Sequence, residues 1–424
     1  MKLPVSDQYL DVIQNPQSCF KDPELKNGIF EPNQLGLPRV IAGQNALVFK
    51  ITSPAKKVYA VRCFLRYDPD QKERYQKISD YLGKRNLKYT VGFKFIEEGI
   101  KVQNTWYPIL KMDWVEGKPL DDYLHKNYKN SRQILDLTYR FLEMLSVIRN
   151  ANIAHCDLQH GNILVVGNEL KLVDYDGMYI PDFAGKRSLE FGHPNYQHPA
   201  RVFQRFDGNM DNFSAWVIFS SLAVVAADPK IWKTSDYDNQ LLFNGKDFLY
   251  PDDSSILKIL KNNSHPTIIK FGKLMNSLMV SPELLPSPID YSLPQFTSDV
   301  NWIDQYVDSL LNLKSYAGVK DTRAEAIEPP WYVEYIRKGI SPTKPWYMER
   351  YEEPESCVSS EIESPTPPEI KSGTVHGNCA YCGKRQYLAF KCNYCGGEFC
   401  GDHRLPFNHD CPGIEHYKRH KVRY

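Results

Sequence analysis

The first hundred or so residues carry the apolar pattern of a β-rich unit. Residues 46–51 and 58–64 are rich in β-branched and aromatic side chains, and the polar residues 53–57 separate them. This pattern predicts a β-hairpin. A helix and two more strands are predicted after it, at residues 71–82, 91–95 and 107–112. Residues 1–35 contain four prolines and no clear periodicity, which indicates an extension that lies on a folded domain.

The middle of the chain changes to helical periodicity. From Ser131, a candidate N-cap, apolar residues recur about every 3.6 positions and predict an amphipathic helix; they are Ile134, Leu137, Phe141, Leu145 and Ile148. Residues 211–315 are predicted to be mainly helical, and the apolar run 216–227 is predicted to be a buried core helix. That run is too short for the roughly 20 residues that cross a bilayer.

A short hairpin is predicted between these helical segments. Residues 163–166 and 170–173 are apolar and flank a Gly-Asn turn at 167–168, which is a strong two-residue hairpin signal. Asn162 comes just before the first strand and Asp174 just after the second. Because the strands of a hairpin are antiparallel, we expect these two side chains to lie close together.

Composition limits the classes of function. The chain has 424 residues, enough for two or three folding units. With 52 basic and 51 acidic residues its formal net charge is +1, so the overall charge indicates neither a nucleic-acid partner nor an anionic membrane. The first 16 residues lack an uninterrupted apolar segment, which argues against a secretory signal. We therefore expect a cytoplasmic protein without a membrane segment.

A candidate catalytic loop follows the amphipathic helix. Residues 155–162 read His-Cys-Asp-Leu-Gln-His-Gly-Asn. Phosphoryl transfer needs a carboxylate to orient the acceptor hydroxyl and oxygen ligands to hold Mg²⁺ on the phosphates of ATP. Asp157 can supply the first, and Asn162 and Asp174 can supply the second. The loop alone has moderate specificity, but Asp174 at the end of the predicted hairpin completes the signature of a phosphotransferase.

Residues 36–315 resemble the protein-kinase-like superfamily, because further motifs follow in its order. Arg62, in Tyr-Ala-Val-Arg, stands where the family's Val-Ala-Ile-Lys strand has its lysine. Residues 112–120 look like the hinge between two lobes, and residues 192–199 look like the end of an activation segment. The resemblance implies an α+β fold, with a small β-rich N-lobe at 36–115 and a mainly helical C-lobe at 116–320.

The same resemblance implies roles for individual residues. Asp157 corresponds to the catalytic base, and Asn162 and Asp174 correspond to the magnesium ligands. The nucleotide contacts that it implies are Gly43 and Val48 of the phosphate-covering turn, Arg62 in the lysine position, Glu73 in preference to Asp80 as the partner carboxylate on the following helix, and the hinge residues Asp113 and Val115.

Departures from the family leave three hypotheses. The phosphate-covering turn keeps one glycine of the usual three. Arg62 has a planar guanidinium group, which is longer than the ammonium group of the family's lysine. Gln159 stands where protein serine/threonine kinases have a lysine. The preferred hypothesis is an ATP- and Mg²⁺-dependent protein serine/threonine kinase, because residues 192–199 resemble a platform for a peptide substrate. The alternatives are a pseudokinase adaptor that only binds partners, and a small-molecule kinase.

The C-terminal residues contain eight closely spaced zinc donors. They form four pairs: Cys379 with Cys382, Cys392 with Cys395, Cys400 with His403, and His409 with Cys411. A structural zinc ion takes four such ligands in a tetrahedron, so eight donors make two closed sites with no open position for catalysis. The Pro-, Glu- and Ser-rich residues 321–375 predict a linker before this module.

The spacing of these donors resembles that of the AN-one-type zinc finger, and all eight match. The resemblance implies a cross-brace, with Cys379, Cys382, Cys400 and His403 on one ion and Cys392, Cys395, His409 and Cys411 on the other. It also implies a protein partner of the ubiquitin- or chaperone-linked kind, bound through residues 376–424, which end in a basic tail.

Overall fold

The computed structural model describes residues 2–42, 45–66, 68–188, 192–199, 201, 205–234, 240–280 and 301–314, and, of the C-terminal part, residues 379–381, 390–391, 395, 397–399 and 411–412. The chain divides into two compact units, Met1–Met348 and Glu349–Tyr424. The predicted linker at 321–375 lies outside the described residues.

The larger unit is a mixed α/β structure. Its helices and strands, in chain order, are α1 (Ser6–Ile13), α2 (Pro16–Cys19), α3 (Pro23–Lys26), β1 (Ile29–Phe30), β2 (Val40–Ala42), β3 (Ala46–Thr52), β4 (Val58–Phe64), α4 (Gln71–Arg85), β5 (Phe93–Val102), β6 (Thr105–Asp113), β7 (Lys118–Pro119), α5 (Leu120–Asn127), α6 (Ser131–Asn150), β8 (Ile163–Val166), β9 (Glu169–Leu172), α7 (Asn212–Ala227), α8 (Gly245–Leu249), α9 (Ser255–Lys261), α10 (Pro266–Val280) and α11 (Asn301–Lys314).

A six-stranded antiparallel sheet forms the first half of this unit. The strand order is β1-β3-β4-β6-β5, and β2 pairs with β3 on the same edge as β1. The predicted hairpin is β3–β4, and its register places Val48 opposite Arg62. Strands β5 and β6 together are longer than predicted, because they run up to a tight turn at Gln103 and Asn104, both with positive φ.

The N-terminal helices cover one face of the sheet. Their apolar side chains are buried in one cluster with those of β3, β4 and β6, and include Tyr9, Ile13, Phe20 and Leu25. On the same face, the buried Lys111 forms ion pairs with Asp22 (2.9 Å) and Glu24 (2.6 Å). The predicted extension therefore contributes both a strand and core side chains to the β-rich part.

Helix α7 is the centre of the second half of the unit. It is buried from Asn212 to Ala226, as the apolar run predicted, and packs against α6 and α10. Helix α6 begins at Ser131, but its N-cap is Asn130, whose side chain accepts a hydrogen bond from the Gln133 N–H (3.2 Å). No helix in the described parts of the chain is long and apolar enough to cross a membrane.

The smaller unit contains one described hairpin. Strand β10 (Phe390–Lys391) pairs antiparallel with β11 (Glu398–Phe399), and Phe390 lies opposite Phe399.

Candidate active site

The loop that contains Asp157 is fastened to the buried helix α7. Asp211, the residue before α7, accepts main-chain hydrogen bonds from His155 and from Cys156 (2.8 Å). Arg201 donates to the carbonyl oxygen of Cys156 (2.7 Å). Cys156 has a left-handed backbone with φ of 68°, which is costly for a residue with a side chain. These bonds therefore hold the loop in a shape that it would not adopt alone.

Three donors fix the carboxylate of Asp157. Its Oδ1 accepts from the main-chain N–H of His193 (2.7 Å), and its Oδ2 accepts from the side-chain amides of Gln159 and Asn162 (3.0 Å each). Burial raises the pKa of Asp157, and the hydrogen bonds from Gln159 and His193 partly oppose this. A carboxylate that is both oriented and more basic than usual suits a group that accepts a proton from a hydroxyl.

Asn162 and Asp174 lie at the open end of the hairpin β8–β9. The two strands are paired up to the residue after Asn162, and the Val173 N–H donates to the Asn162 carbonyl (3.0 Å). The Asn162 amide nitrogen donates to Asp157 twice, to its main-chain carbonyl (2.9 Å) and to its carboxylate. The hairpin thus places the proposed metal ligands next to the proposed base.

The donors at this end of the hairpin suit a magnesium ion. Because Asn162 uses its amide nitrogen for Asp157, its Oδ1 oxygen remains as an acceptor. The Asp174 side chain is 42% exposed and can be reached from solvent. Within the described residues, no group of three or more His, Cys, Asp or Glu side chains could hold a metal ion. Magnesium is usually held by one or two protein ligands together with water and substrate phosphates.

Arg62 contacts two carboxylates at this site. Its Nη1 donates to Asp174 Oδ1 at 2.5 Å, and its Nη2 donates to Asp176 Oδ2. Partial desolvation acts to raise the pKa of Asp174, but Arg62 outweighs it and holds that pKa below its ordinary value. For Asp176, burial raises the pKa to about 7 although Arg62 opposes the shift. Arg62 thus acts to lower the pKa of both carboxylates, and that of Asp174 falls below its ordinary value.

The structure places Glu73 away from Arg62. Its carboxylate is exposed and accepts from Lys77, one turn further along α4 (2.6 Å). The expected pairing of Glu73 with Arg62 is corrected, because position 73 lies on the solvent side of the helix whereas Arg74 and Tyr75 are buried. The carboxylates that face Arg62 come from the loop after β9.

The other predicted nucleotide contacts are distributed around β3, β4 and β6. Val48 and Arg62 are cross-strand partners, so their side chains share one face of the sheet. Asp113 is exposed at the end of β6, and Val115, two residues further on, is partly buried. Gly43 lies outside the described residues.

Sequence reasoning missed the residues that surround Arg62. A signal for Asp176 was present, since it stands third in the motif that starts at Asp174, where the kinase signature Asp-Phe-Gly has glycine. Tyr75 and Arg74, which bind Asp176 from α4, lie 101 and 102 positions before it in the sequence. No local pattern could connect residues so far apart.

Three of the eight predicted zinc ligands lie among the described residues. Cys379 and Cys411 are each 2% exposed and pack with Cys395 and Phe399 in one cluster. Three of the predicted sulfur donors, from the start, middle and end of the module, thus lie in one cluster. The remaining predicted ligands lie outside the described residues; they are Cys382, Cys392, Cys400, His403 and His409.

Comparison with known proteins gives two family matches. Residues 100–186 match the ABC1 atypical kinase-like domain, and residues 378–416 match the AN1-like zinc finger. The chain is similar to both families. Both predicted resemblances are therefore confirmed. The first matched segment contains Asp157, Asn162 and Asp174, whereas Arg62 lies before it.

A curated relative shares a short segment with the chain. CDC48-associated ubiquitin-like/zinc finger protein 1 of Saccharomyces cerevisiae is 42% identical over 49 residues. The shared segment covers 11% of this chain and 18% of the relative. The chain thus spans less than a fifth of that relative's length.

Proposed function

We propose that this protein is an ATP- and Mg²⁺-dependent phosphotransferase, and specifically an atypical protein serine/threonine kinase. The observation that carries the proposal is the hydrogen-bonded arrangement of Asp157 and Asn162 at the end of the hairpin that leads to Asp174. The match to the ABC1 atypical kinase-like domain supports the same class of reaction.

Each residue has a defined part in this reaction. Asp157 orients the acceptor hydroxyl and takes its proton, since its carboxylate is oriented and has a raised pKa. Asn162 and Asp174 hold Mg²⁺, which when bound neutralises charge on the phosphates. Arg62 contacts a phosphate in place of the usual lysine. The proposed fold is two-lobed, with the N-lobe at 36–115 and the C-lobe at 116–320.

A protein acceptor is favoured by the segment after the loop. The main chain of His193 donates to the Asp157 carboxylate (2.7 Å), so the segment that resembles a peptide platform lies directly beside the proposed base. Gln159, which also binds Asp157, offers a neutral amide where protein kinases have a lysine. Because Gln159 differs from the lysine of protein kinases, the experiment must also be able to detect a small-molecule acceptor.

The zinc finger is proposed to recruit a protein partner. Eight ligands arranged as a cross-brace would hold two zinc ions, with no open position for catalysis. The match to the AN1-like zinc finger supports the binding of zinc. The printed name of the yeast relative, which describes association with CDC48 and a ubiquitin-like part, supports a partner from the ubiquitin or chaperone pathways. The proposed location is the cytoplasm.

Incubation of the full-length protein with labelled ATP and Mg²⁺ tests the proposed kinase activity. We expect label on the protein, and a loss of about 100-fold or more in Asp157→Asn, the usual size of a general-base effect. Asp80→Asn, which changes an exposed carboxylate on α4, is the matched control and should keep the native rate. Equal labelling of the native protein and Asp157→Asn would refute the kinase. ATP turnover without labelled protein, increased by a metabolite extract, would indicate a small-molecule kinase.

A pseudokinase adaptor is the second candidate function. The contact between Arg62 and Asp174 favours it, because a proposed magnesium ligand is already paired with a cation. Under this alternative, Mg-ATP should not change the melting temperature of the protein. Asp157→Asn should then capture the same partners as the native protein. A clear rise in melting temperature with Mg-ATP would count against the adaptor.

A further inference from the structure

Asp176 has no part in the phosphotransfer described above, yet it is one of the two carboxylates that bind Arg62. Each carboxylate has its own guanidinium nitrogen, Nη1 for Asp174 and Nη2 for Asp176. We propose that Asp176, held in place by Tyr75, is the positioning residue for Arg62 and replaces the partner carboxylate expected on α4. This inference rests on the proposed phosphotransferase function.

Tyr75 fixes the direction of the Asp176 carboxylate. Its hydroxyl donates to Asp176 Oδ1, which leaves Oδ2 for Arg62. Tyr75 is 3% exposed, and its ring is surrounded by aromatic side chains, with centroid distances of 5.8 Å to Phe64 and to Phe95. Phenylalanine would fill the same aromatic cluster, so the hydroxyl is the part of Tyr75 that serves Asp176.

Arg74 fixes the main chain beneath the same carboxylate. Its Nε donates to the carbonyl of Asp176 (2.9 Å), and its Nη2 donates to the carbonyl of Met178 (2.6 Å). The guanidinium lies 4.6 Å from the centroid of the Phe183 ring, and Arg74 as a whole is 7% exposed. Neighbouring residues of α4 thus hold the backbone and the side chain of Asp176.

The choice of arginine at position 62 follows from this arrangement. A guanidinium presents separate nitrogens in a rigid plane, whereas an ammonium is a single compact charge. Arg62 can therefore bind Asp174 and Asp176 with different nitrogens at the same time. With Nη2 held by Asp176, Nη1 can exchange Asp174 for a phosphate oxygen and release Asp174 to magnesium. Arg62 and Asp176 together thus replace the family's lysine and the carboxylate expected on α4.

Kinetics of the full-length protein test this role. Asp176→Asn removes the charge that binds Arg62, and kcat/KM for ATP should fall about 10- to 100-fold, as for a hydrogen bond to a charged group. Tyr75→Phe removes only a hydroxyl and should cost about 3- to 10-fold. Tyr81→Phe is the matched control, because Tyr81 also lies on α4 and its hydroxyl also donates a hydrogen bond, in this case to the main-chain carbonyl of Ala151 (2.7 Å). It should keep the native KM for ATP.

If Asp176 positions Arg62, substitutions at these two residues should depend on each other in their effects on kcat/KM. A general structural role of Asp176 would give independent effects. In the native background, Arg62→Lys should lower kcat/KM for ATP, whereas in Asp176→Asn it should cost little more. Additive losses, or native kinetics in both Asp176→Asn and Tyr75→Phe, would overturn the inference while leaving the proposed kinase in place.

Stability of the ligand-free protein provides a test that does not depend on activity. Urea midpoints of Arg62→Gln, Asp176→Asn and the double variant should be non-additive, because each single change leaves a largely buried group without one of its partners. If the native protein transfers no phosphate, the proposed function fails, and this comparison still decides the inference. Additive shifts in the midpoints would show that Asp176 does not hold Arg62.

Discussion

At the residue scale, Gly192 shows how closely the backbone controls the candidate base. It has a φ of 76°, and a Cβ at this position would lie 2.7 Å from the carbonyl oxygen of Cys156 and 3.1 Å from Asp157 Oδ1. The next residue, His193, donates its N–H to the same Oδ1. Only glycine therefore allows the segment to approach Asp157 closely enough to bind it.

Gly192→Ala is expected to displace Asp157 and reduce phosphotransfer. Gly185→Ala is the matched control, since Gly185 has a similar φ of 80° but no atom within 4 Å of the added Cβ. Both variants should lose about 1–2 kcal/mol of stability from the left-handed backbone, but only Gly192→Ala should lose about tenfold or more in phosphotransfer rate. Urea unfolding and the labelled-ATP assay measure the two effects. Equal rates in the two variants would show that the contact with Asp157 is unimportant.

The sequence predicted the candidate residues that lie near one another in the chain. Asp157, Asn162 and Asp174 fall within 18 positions and follow a known signature, so their spacing was informative. The contacts of Arg62 join residues 112 and 114 positions apart. Such contacts depend on how the sheet packs on the loop after β9, which no local pattern records.

At the level of helices and strands, the N-terminal helical segment contributes side chains to the hydrophobic core beside the sheet. Phe20 is 2% exposed and forms a β-bridge with Ile100. Phe20→Ala should lower the free energy of unfolding by about 3–5 kcal/mol, as expected for a buried aromatic side chain. Leu35→Ala, in which an 82% exposed side chain is shortened, should change it by less than about 0.5 kcal/mol. Tryptophan fluorescence in urea gives both values. A small loss for Phe20→Ala would mean that these helices are dispensable.

Elements with a strong local pattern were predicted well, and weaker patterns failed for physical reasons. Helix α7 and the hairpins β3–β4 and β8–β9 follow from apolar runs between turns. Strand β5 was predicted too short because Glu97 and Glu98, exposed in its middle, interrupt the apolar alternation. The cap of α6 was displaced by one residue because Asn130 competes with Ser131 as an acceptor for the free N–H groups.

At the scale of the whole molecule, zinc removal should unfold the finger and leave the kinase-like region folded. All eight predicted ligands lie between residues 379 and 411, and zinc contributes on the order of 10 kcal/mol to the folding of so small a module. The seven tryptophans all precede residue 347, so their fluorescence does not report on the finger. Chelation by EDTA should release two zinc ions per chain, counted by mass spectrometry, without moving the tryptophan-detected melting midpoint. A drop of several degrees would instead mean that the bound zinc also stabilises the rest of the chain.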